Sequence, residues 1–293
     1  MGKKYSNKLT VKILLCIVAV TFCFSLFFIT KSFVTVYKNR SLQKQFDETM
    51  TLKENLISEN ESLEQSLNKA QSDYDEALKN IKIAYLTFDD GPSNHTTKIL
   101  DILDKYNVKA TFFVNYKEGM DDIYKEIADR GHVIANHTFS HDYKTIYKNK
   151  QNFINDVKNL DNKIESITNK KPSKILRFPG GSNNTVNLDY NSDKNFMNDL
   201  CSTMENLGYT YFDWNIDSTD ASTFRQTKRN IVTSILENTP YVNHANILMH
   251  DLDPKDTTVD ALPEIIQGLK KQGFIFDSLN HNSPTVQFNS TGN

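Results

Sequence analysis

Two neighbouring carboxylates, Asp89 and Asp90, occur in the stretch LTFDDGP, where an apolar run ends and a Gly-Pro pair follows. Consecutive side chains of a strand point to opposite faces, and two like charges placed side by side repel each other. The pair therefore brings no structural advantage at this position. It is typical of a site in which one carboxylate binds a metal ion and its neighbour transfers a proton.

Two histidines, His137 and His141, occur further along the chain in HTFSH. If this segment is helical, their spacing puts both imidazoles on one face, one turn apart. Two imidazoles and one carboxylate form a three-ligand site with a position left open for water, as in catalytic metal centres. Asp89 and Asp90 are both available as the carboxylate. Nitrogen and oxygen ligands without a thiolate suit zinc, with cobalt or manganese as alternatives.

Other reactive side chains also follow apolar, strand-like runs. Arg177 follows such a run in RFPGG, Asp213 and Trp214 follow YTYF, and His250 closes NILMH. Polar groups that only satisfy the core would not be expected at the same end of five different strands. Because active sites of α/β barrels are built at the carboxyl ends of the strands, this clustering predicts one shared site.

The elements that would position these residues alternate regularly after Ile81. Seven strand candidates are separated by six helix candidates, a pattern that predicts parallel strands joined by helical crossovers. A barrel and an open doubly wound sheet both fit, but no Gly-rich nucleotide-binding motif follows a strand. We expect an α/β fold, a distorted barrel of about seven parallel strands, over residues 81–280. A polar tail is expected at 281–293, and Ser283–Asn293 within it is expected to lack fixed structure.

The first part of the chain has a different character. Residues 13–30 contain no charge and reach the length of a membrane-spanning helix. A cleaved signal peptide is the alternative, but no Ala-x-Ala cleavage pattern follows the run. We expect a cytoplasmic segment at 1–12 and a transmembrane anchor at 13–37, with the remainder extracellular, because cationic residues are slightly more numerous before the span.

Residues 38–80 contain neither glycine nor proline. Apolar residues recur at a seven-residue spacing, which predicts a helical stalk with coiled-coil character. A solvated spacer and a homodimer-forming stalk are both open, because polar residues and alanines interrupt the apolar positions. The formal charge of the whole chain is −2, so nothing in the overall charge predicts a nucleic-acid partner.

Five segments, TFDDGP, HTFSH, RFPGG, DWNID and ILMHD, resemble in order the five motifs of the polysaccharide deacetylase family, which has a NodB homology domain and is carbohydrate esterase family 4. The resemblance covers about Lys82 to Leu279. It implies a distorted barrel, a bound divalent metal and removal of acetyl groups from N-acetylated sugars. Members that look like this chain act on N-acetylglucosamine of peptidoglycan, and others act on chitin, xylan or exopolysaccharide.

The resemblance also implies a role for each reactive side chain. The divalent metal, Zn²⁺ in the first instance, is expected on three ligands: Asp90, His137 and His141. For proton transfer, Asp89 is the expected general base and Arg177 its partner. His250 is the expected general acid, and Asp213 the carboxylate that orients it. Three further acids are expected to be loop or surface residues: Asp217, Asp220 and Asp251.

Three residues are expected to contact the substrate. The backbone N–H of Gly180 is expected to stabilise the oxyanion, and Trp214 and Leu248 to line the pocket for the acetyl methyl group. Many relatives carry tyrosine at position 180, so the groove wall differs here, and a simple Gly-Gly turn is the competing interpretation. The resemblance implies an amidohydrolase of cell-wall glycan, and the uncharged run at 13–30 adds the expectation that it is anchored in the membrane. A deacetylase of another glycan and a non-catalytic glycan-binding domain are the alternatives.

Overall fold

The computed structural model describes residues 3–289, with side chains described at 12, 14–77 and 81–289. The chain divides into two compact units, and the second begins at Glu76. Helix α1 (Lys3–Asn80) accounts for the first unit, so the predicted anchor and stalk lie on one continuous helix. Among the described residues, a stretch within Leu14–Ala77 is long and apolar enough to cross a membrane, and protein buries none of it.

The second unit alternates short strands with helices. Its strands are β1 (Ile83–Asp89), β2 (Thr111–Val114), β3 (Val133–Asn136), β4 (Ile175–Leu176), β5 (Thr210–Tyr211), β6 (Ile216–Asp217), β7 (His244–His250) and β8 (Ile275–Phe276). Its α-helices are α2 (Thr96–Tyr106), α3 (Asp121–Asp129), α4 (Tyr143–Ile146), α5 (Lys150–Thr168), α6 (Phe196–Asn206), α7 (Lys228–Asn238) and α8 (Asp256–Lys271).

The strands form one curved sheet in the order β5-β4-β3-β2-β1-β7-β6, with β8 paired to β1. Every one of these pairs is parallel. The strands at the two ends of the order, β5 and β6, are consecutive in the chain and only the segment 212–215 separates them. The sheet must therefore curl until its edges approach each other. This confirms the predicted distorted barrel of parallel strands.

The run YTYFDWNI, one of the seven strand candidates in the sequence, forms two separate strands. The N–H of Phe212 still bonds to Leu176 O at 2.9 Å beside β4, whereas the N–H of Asn215 bonds to Asn246 O at 3.2 Å beside β7. The chain thus crosses from one edge of the sheet to the other within this run. Asp213 and Asn215 are poor strand formers and mark an interruption in the run, but the composition does not show that the chain changes to the other edge of the sheet.

Strand β1 explains why the two aspartates separate. All seven of its residues are buried, and they alternate between two packing layers. Ala84, Leu86 and Phe88 belong to the large cluster that also contains helix residues, whereas Ile83 and Tyr85 belong to the smaller interior cluster. Asp89 continues the interior series, because side chains two apart share a face.

Candidate active site

Asp89 lies at the carboxyl end of β1 with only 3% of its surface exposed. Its Oδ1 accepts a hydrogen bond from Arg177 Nη1 at 2.8 Å, and Arg177, which follows β4, is completely buried. The predicted pair is therefore in direct contact. The next residue, Asp90, has a φ of +70°, so the chain turns there and the second carboxylate takes a different direction.

Arg177 fills the interior of the barrel, where an unpaired charge would be very costly. All five guanidinium N–H groups have acceptors: Asp89 Oδ1, Thr87 Oγ1, Phe212 O, Asp213 O and Asn246 Oδ1. The guanidinium carbon also lies 4.1 Å from the centroid of the Phe113 ring. Arg177 is thus held rigidly, and it fixes one oxygen of the Asp89 carboxylate.

Asp90, His137 and His141 converge on one point. One ligand atom from each lies within 4.8 Å of the other two. Asp90 Oδ1 is 3.6 Å from His137 Nε2 and 3.3 Å from His141 Nε2. This oxygen is buried and has no hydrogen-bond partner in the described part of the chain. A buried carboxylate oxygen facing two imidazole nitrogens fits a divalent cation, because it would otherwise be left unsatisfied.

The histidines do not lie on a helix. They belong to the loop between β3 and α4, in which Thr138 has a φ of +67° and His141 a φ of +53°. The helical interpretation of the His-x-x-x-His spacing is therefore wrong. The two imidazoles converge because left-handed residues fold the loop back. His137 Nδ1 donates to Arg177 O at 2.8 Å, which directs its Nε2 towards the cluster, as is usual for metal-binding histidines.

The ionisation of this cluster suits cation binding. Burial alone would raise the pKa of Asp90, but the nearby His137 and His141 outweigh it and hold that pKa below its usual range. Burial, followed by the charge of His137, lowers the pKa of His141 to about 4. At neutral pH the carboxylate is ionised and the His141 imidazole is neutral, and these are the forms that bind metal ions.

His250 is paired with Asp220 rather than with Asp213. His250 Nδ1 donates to Asp220 Oδ1 at 2.7 Å, and the His250 backbone N–H donates to Asp220 Oδ2 at 2.8 Å. Asp220 is 1% exposed. The predicted role of Asp213 as the carboxylate that orients His250 is thus wrong. Asp220 lies in a loop, as predicted, but it is buried and contacts His250. The split between β5 and β6 is the reason, because Asp220 follows β6, the neighbour of β7.

Asp213 has a different set of partners. Its carboxylate accepts hydrogen bonds from Ser182 N at 2.8 Å, Ser182 Oγ at 2.6 Å and Phe288 N at 2.8 Å. It therefore joins the loop after β4 to the C-terminal segment. Asp251 lies in the loop after β7, as predicted, but is buried there and accepts a hydrogen bond from Thr96 Oγ1 at 2.6 Å. Asp217 is exposed as expected.

The His250–Asp220 pair favours the protonated imidazole. Burial alone would lower the pKa of His250, but the hydrogen bond and the charge of Asp220 raise it to about 9. Burial likewise tends to raise the pKa of Asp220, yet His250 keeps it below its usual range. At neutral pH His250 therefore carries a proton that it can donate.

Gly180 occupies the third position of a tight turn. Gly181 N donates to Phe178 O at 2.8 Å, Pro179 is the second residue, and Gly180 has a φ of +80°. These are the features of a type II turn, which requires glycine at this position. In such a turn the N–H of Gly180 is left free, and in the described chain no acceptor pairs with it. The turn interpretation and the predicted oxyanion donor are therefore compatible.

Trp214 and Leu248 both border this end of the barrel. Leu248 lies on β7 two residues before His250, so their side chains share a face, and 6% of it is exposed. Trp214 is partly exposed and lies 3.3 Å from the position that a Cβ on Gly181 would take. The acetyl pocket that these two residues would line stays a prediction.

The C-terminal segment, expected to lack fixed structure, packs against the site over its described residues. Phe288 lies edge-on to Trp214, with 5.1 Å between ring centroids, and Asn289 N donates to Ser182 Oγ at 3.0 Å. The remaining predicted tail residues, 290–293, lie outside the described residues. The polar composition of the tail hid this role, because several of its contacts are made by backbone groups.

Sequence reasoning missed two further residues near the site, Tyr143 and Tyr147. Tyr143 contacts the ring of His141 edge-on at 5.2 Å, and Tyr147, fully buried, donates its hydroxyl proton to Pro179 O at 2.7 Å. The two tyrosines are four residues apart in DYKTIYK, the segment that directly follows the histidine motif. That position, two and six residues after His141, was the available signal.

A curled parallel α/β sheet that gathers cation ligands, a fixed carboxylate and a protonated imidazole at its carboxyl end is a framework suited to hydrolysis. The chain matches the polysaccharide deacetylase family over residues 77–211. A peptidoglycan-N-acetylglucosamine deacetylase of Bacillus cereus is 34% identical over 215 residues, which are 70% of this chain and 72% of the relative. On these similarities, the chain belongs to the polysaccharide deacetylase family.

Two further similarities cover nearly the whole of the other protein. A chitooligosaccharide deacetylase of Rhizobium leguminosarum bv. trifolii is 31% identical over 221 residues, 70% of this chain and 94% of the relative. The crystal structure of the catalytic domain of peptidoglycan N-acetylglucosamine deacetylase from Eubacterium rectale superposes with a TM-score of 0.67 at 38% identity, covering 72% of this chain and 94% of that domain. The predicted family and fold are confirmed.

Proposed function

We propose that this chain is a membrane-anchored, metal-dependent N-deacetylase that removes acetyl groups from N-acetylglucosamine in cell-wall peptidoglycan. The observation that carries the proposal is the convergence of Asp90, His137 and His141 beside the Asp89–Arg177 pair. Relatives named as peptidoglycan N-acetylglucosamine deacetylases support the choice of substrate. The reaction is the hydrolysis of an amide bond, with water as the second substrate.

Asp90, His137 and His141 would hold the cation, with Zn²⁺ as the first choice and Co²⁺ or Mn²⁺ as alternatives. When bound, a divalent cation supplies Lewis-acid activation of the attacking water and of the acetyl carbonyl. The unpartnered Asp90 Oδ1 supports this assignment, because the donor set around it contains nitrogen and oxygen and no thiolate.

The remaining residues divide the proton transfers. Asp89, with one oxygen held by Arg177, removes a proton from the attacking water through its other oxygen, which lies 3.8 Å from His137 Nε2. The N–H of Gly180 donates to the carbonyl oxygen as it becomes negative. His250 gives its proton to the amine nitrogen while the C–N bond breaks. Acetate and the free amino sugar are the products.

Helix α1 supports an anchor in the cell membrane. Its apolar stretch follows the lysine-bearing residues 1–12, which favours a cytoplasmic N-terminus and an extracellular catalytic domain. Peptidoglycan lies on that side. The stalk, residues 38–80, would hold the catalytic domain away from the bilayer, and its pairing into a homodimer stays a prediction.

The test compares acetate release from peptidoglycan and from chitooligosaccharides by the detergent-solubilised full chain, with added Zn²⁺ and with a chelator. We expect release from peptidoglycan, loss of release with chelator and recovery with Zn²⁺. Preferential release from chitooligosaccharides would assign the substrate of the Rhizobium relative instead. Release that persists in chelator, or no release from any acetylated glycan, would contradict the proposal.

A further inference from the structure

The hydroxyl of Tyr143 has no role in the reaction as described above. Tyr143 begins α4, and its ring lies edge-on to that of His141, with 5.2 Å between centroids and an interplanar angle of 87°. The residue is partly exposed. Within the described residues, no hydrogen-bond partner pairs with its hydroxyl. A polar group left free beside a cluster of cation ligands is available to a bound molecule.

The position of this hydroxyl relative to the turn at Gly180 is specific. A Cβ added to Gly180 would meet the Tyr143 hydroxyl oxygen at 3.2 Å and the Asn184 Cβ at 3.3 Å. The hydroxyl thus occupies the space that a side chain at position 180 would need. It lies next to the residue whose N–H is the donor proposed for the acetyl oxygen.

The peptide that carries that N–H is itself held in place. Tyr147 donates its hydroxyl proton to Pro179 O at 2.7 Å, and Asn184 Nδ2 contacts the same oxygen at 3.4 Å. Because the C=O and N–H of a trans peptide point in opposite directions, fixing Pro179 O directs the Gly180 N–H away from Tyr147. Tyr147 is therefore a positioning residue, and Tyr143 is the tyrosine whose hydroxyl stays free.

We propose that the Tyr143 hydroxyl donates a second hydrogen bond to the acetyl oxygen in the transition state, beside the N–H of Gly180. This inference rests on the proposed N-deacetylase function. As water adds to the carbonyl carbon, the carbonyl π electrons move to the oxygen, and the two donors stabilise the developing charge. Tyr143 keeps its proton throughout, because it only donates a hydrogen bond, and the C–N bond breaks with a proton from His250.

The test measures acetate release by the zinc-loaded, detergent-solubilised full chain and by Tyr143→Phe, which keeps the ring against His141. We expect kcat to fall about 10- to 100-fold, at or below the usual effect of one oxyanion donor because other donors remain. KM should change less than about twofold, since the lost interaction exists only in the transition state. Tyr241→Phe, at a site 85% exposed, is the matched control and should behave like the parent.

Zn²⁺ affinity, measured by calorimetric titration, and the thermal unfolding midpoint provide the second readout, and both should match the parent. An unchanged kcat in Tyr143→Phe would overturn the inference. A raised KM with unchanged kcat would instead make Tyr143 a sugar-binding residue. A loss of Zn²⁺ affinity would make Tyr143 a support for His141. Each of these results would also overturn the inference. If the parent chain releases no acetate, the proposed function itself is refuted. An unchanged kcat in Tyr143→Phe, with an active parent, refutes only the role of Tyr143.

Discussion

The pairing of His250 with Asp220 leads to a prediction about pH. Asp220→Asn keeps the shape of the side chain and removes the charge that faces His250 Nδ1 at 2.7 Å. In the parent this contact raises the pKa of His250 from the usual 6.5 to about 9. Without it, burial acts on the imidazole unopposed by Asp220, and the pKa should fall to about 6.5 or below.

The magnitude follows from the two protonation states. At pH 8 an imidazole with a pKa of about 9 is about nine-tenths protonated, whereas one with a pKa of about 6.5 is about 3% protonated. The protonated fraction of His250, which is the form that acts as general acid, is therefore at least about 30-fold smaller in the variant at this pH. At pH 6 and below most of the difference disappears, because both imidazoles are then largely protonated.

The assay is the pH profile of kcat/KM for acetate release between pH 5 and 10. We expect the alkaline decline to begin near pH 9 in the parent and to move down by about two pH units in Asp220→Asn. Asp213→Asn is the matched control, because Asp213 contacts Ser182 and Phe288 instead of His250. An unmoved decline in Asp220→Asn, or a moved one in Asp213→Asn, would refute the assignment.

The same pair should appear in stability. A histidine whose folded pKa is raised contributes stability that is complete below its unfolded pKa and is lost as pH rises through its folded pKa. The shift from 6.5 to about 9 corresponds to about 3 kcal/mol. Chemical unfolding should therefore show the parent more stable than Asp220→Asn at pH 6.5, and the difference should shrink towards pH 10.

Three further substitutions test the support of the site. Arg177→Met should cost about 3–5 kcal/mol in chemical unfolding, because it leaves the buried Asp89 carboxylate without its cation, whereas Arg225→Met, which breaks a surface ion pair with Asp256, should cost less than about 1 kcal/mol. Tyr147→Phe should lower kcat by removing the bond to Pro179 O, with Zn²⁺ affinity unchanged in a calorimetric titration; an unaltered kcat would show that the turn does not need it. Phe288→Ala should raise KM by several-fold in steady-state assays, since aromatic pairs are worth about 0.5–1.5 kcal/mol, and an unchanged KM would separate the C-terminal segment from substrate binding.

The elements that depend on the local pattern of apolar residues could be predicted well from the sequence. The strand ending at Asp89, helix α2 at Thr96–Tyr106 and the alternation that makes the barrel are all visible in apolar periodicity. The convergence of Asp90 with His137 and His141 was also predictable, because parallel strands bring their carboxyl ends to one edge. These features need only residue type, spacing and the topology of the sheet.

The features that sequence did not predict depend on long-range geometry. The pairing of Asp220 with His250 was missed because Asp213 and Asn215, although poor strand formers, do not show that YTYFDWNI crosses from one edge of the sheet to the other. The carboxylate partner of His250 was therefore placed one element too early. The left-handed residues in the histidine loop and the C-terminal contacts at Phe288 arise from tertiary packing. Backbone-mediated contacts of this kind carry almost no signal in side-chain composition.

The central claim is that adjacent carboxylates have separate tasks, and one measurement tests it: Zn²⁺ titration and acetate release on the same preparations of Asp89→Asn and Asp90→Asn. The account predicts that Asp89→Asn binds one Zn²⁺ per chain with affinity close to that of the parent and releases no acetate. Asp90→Asn should bind Zn²⁺ much more weakly. Turnover at the parental rate in Asp89→Asn, or undiminished Zn²⁺ affinity in Asp90→Asn, would contradict it.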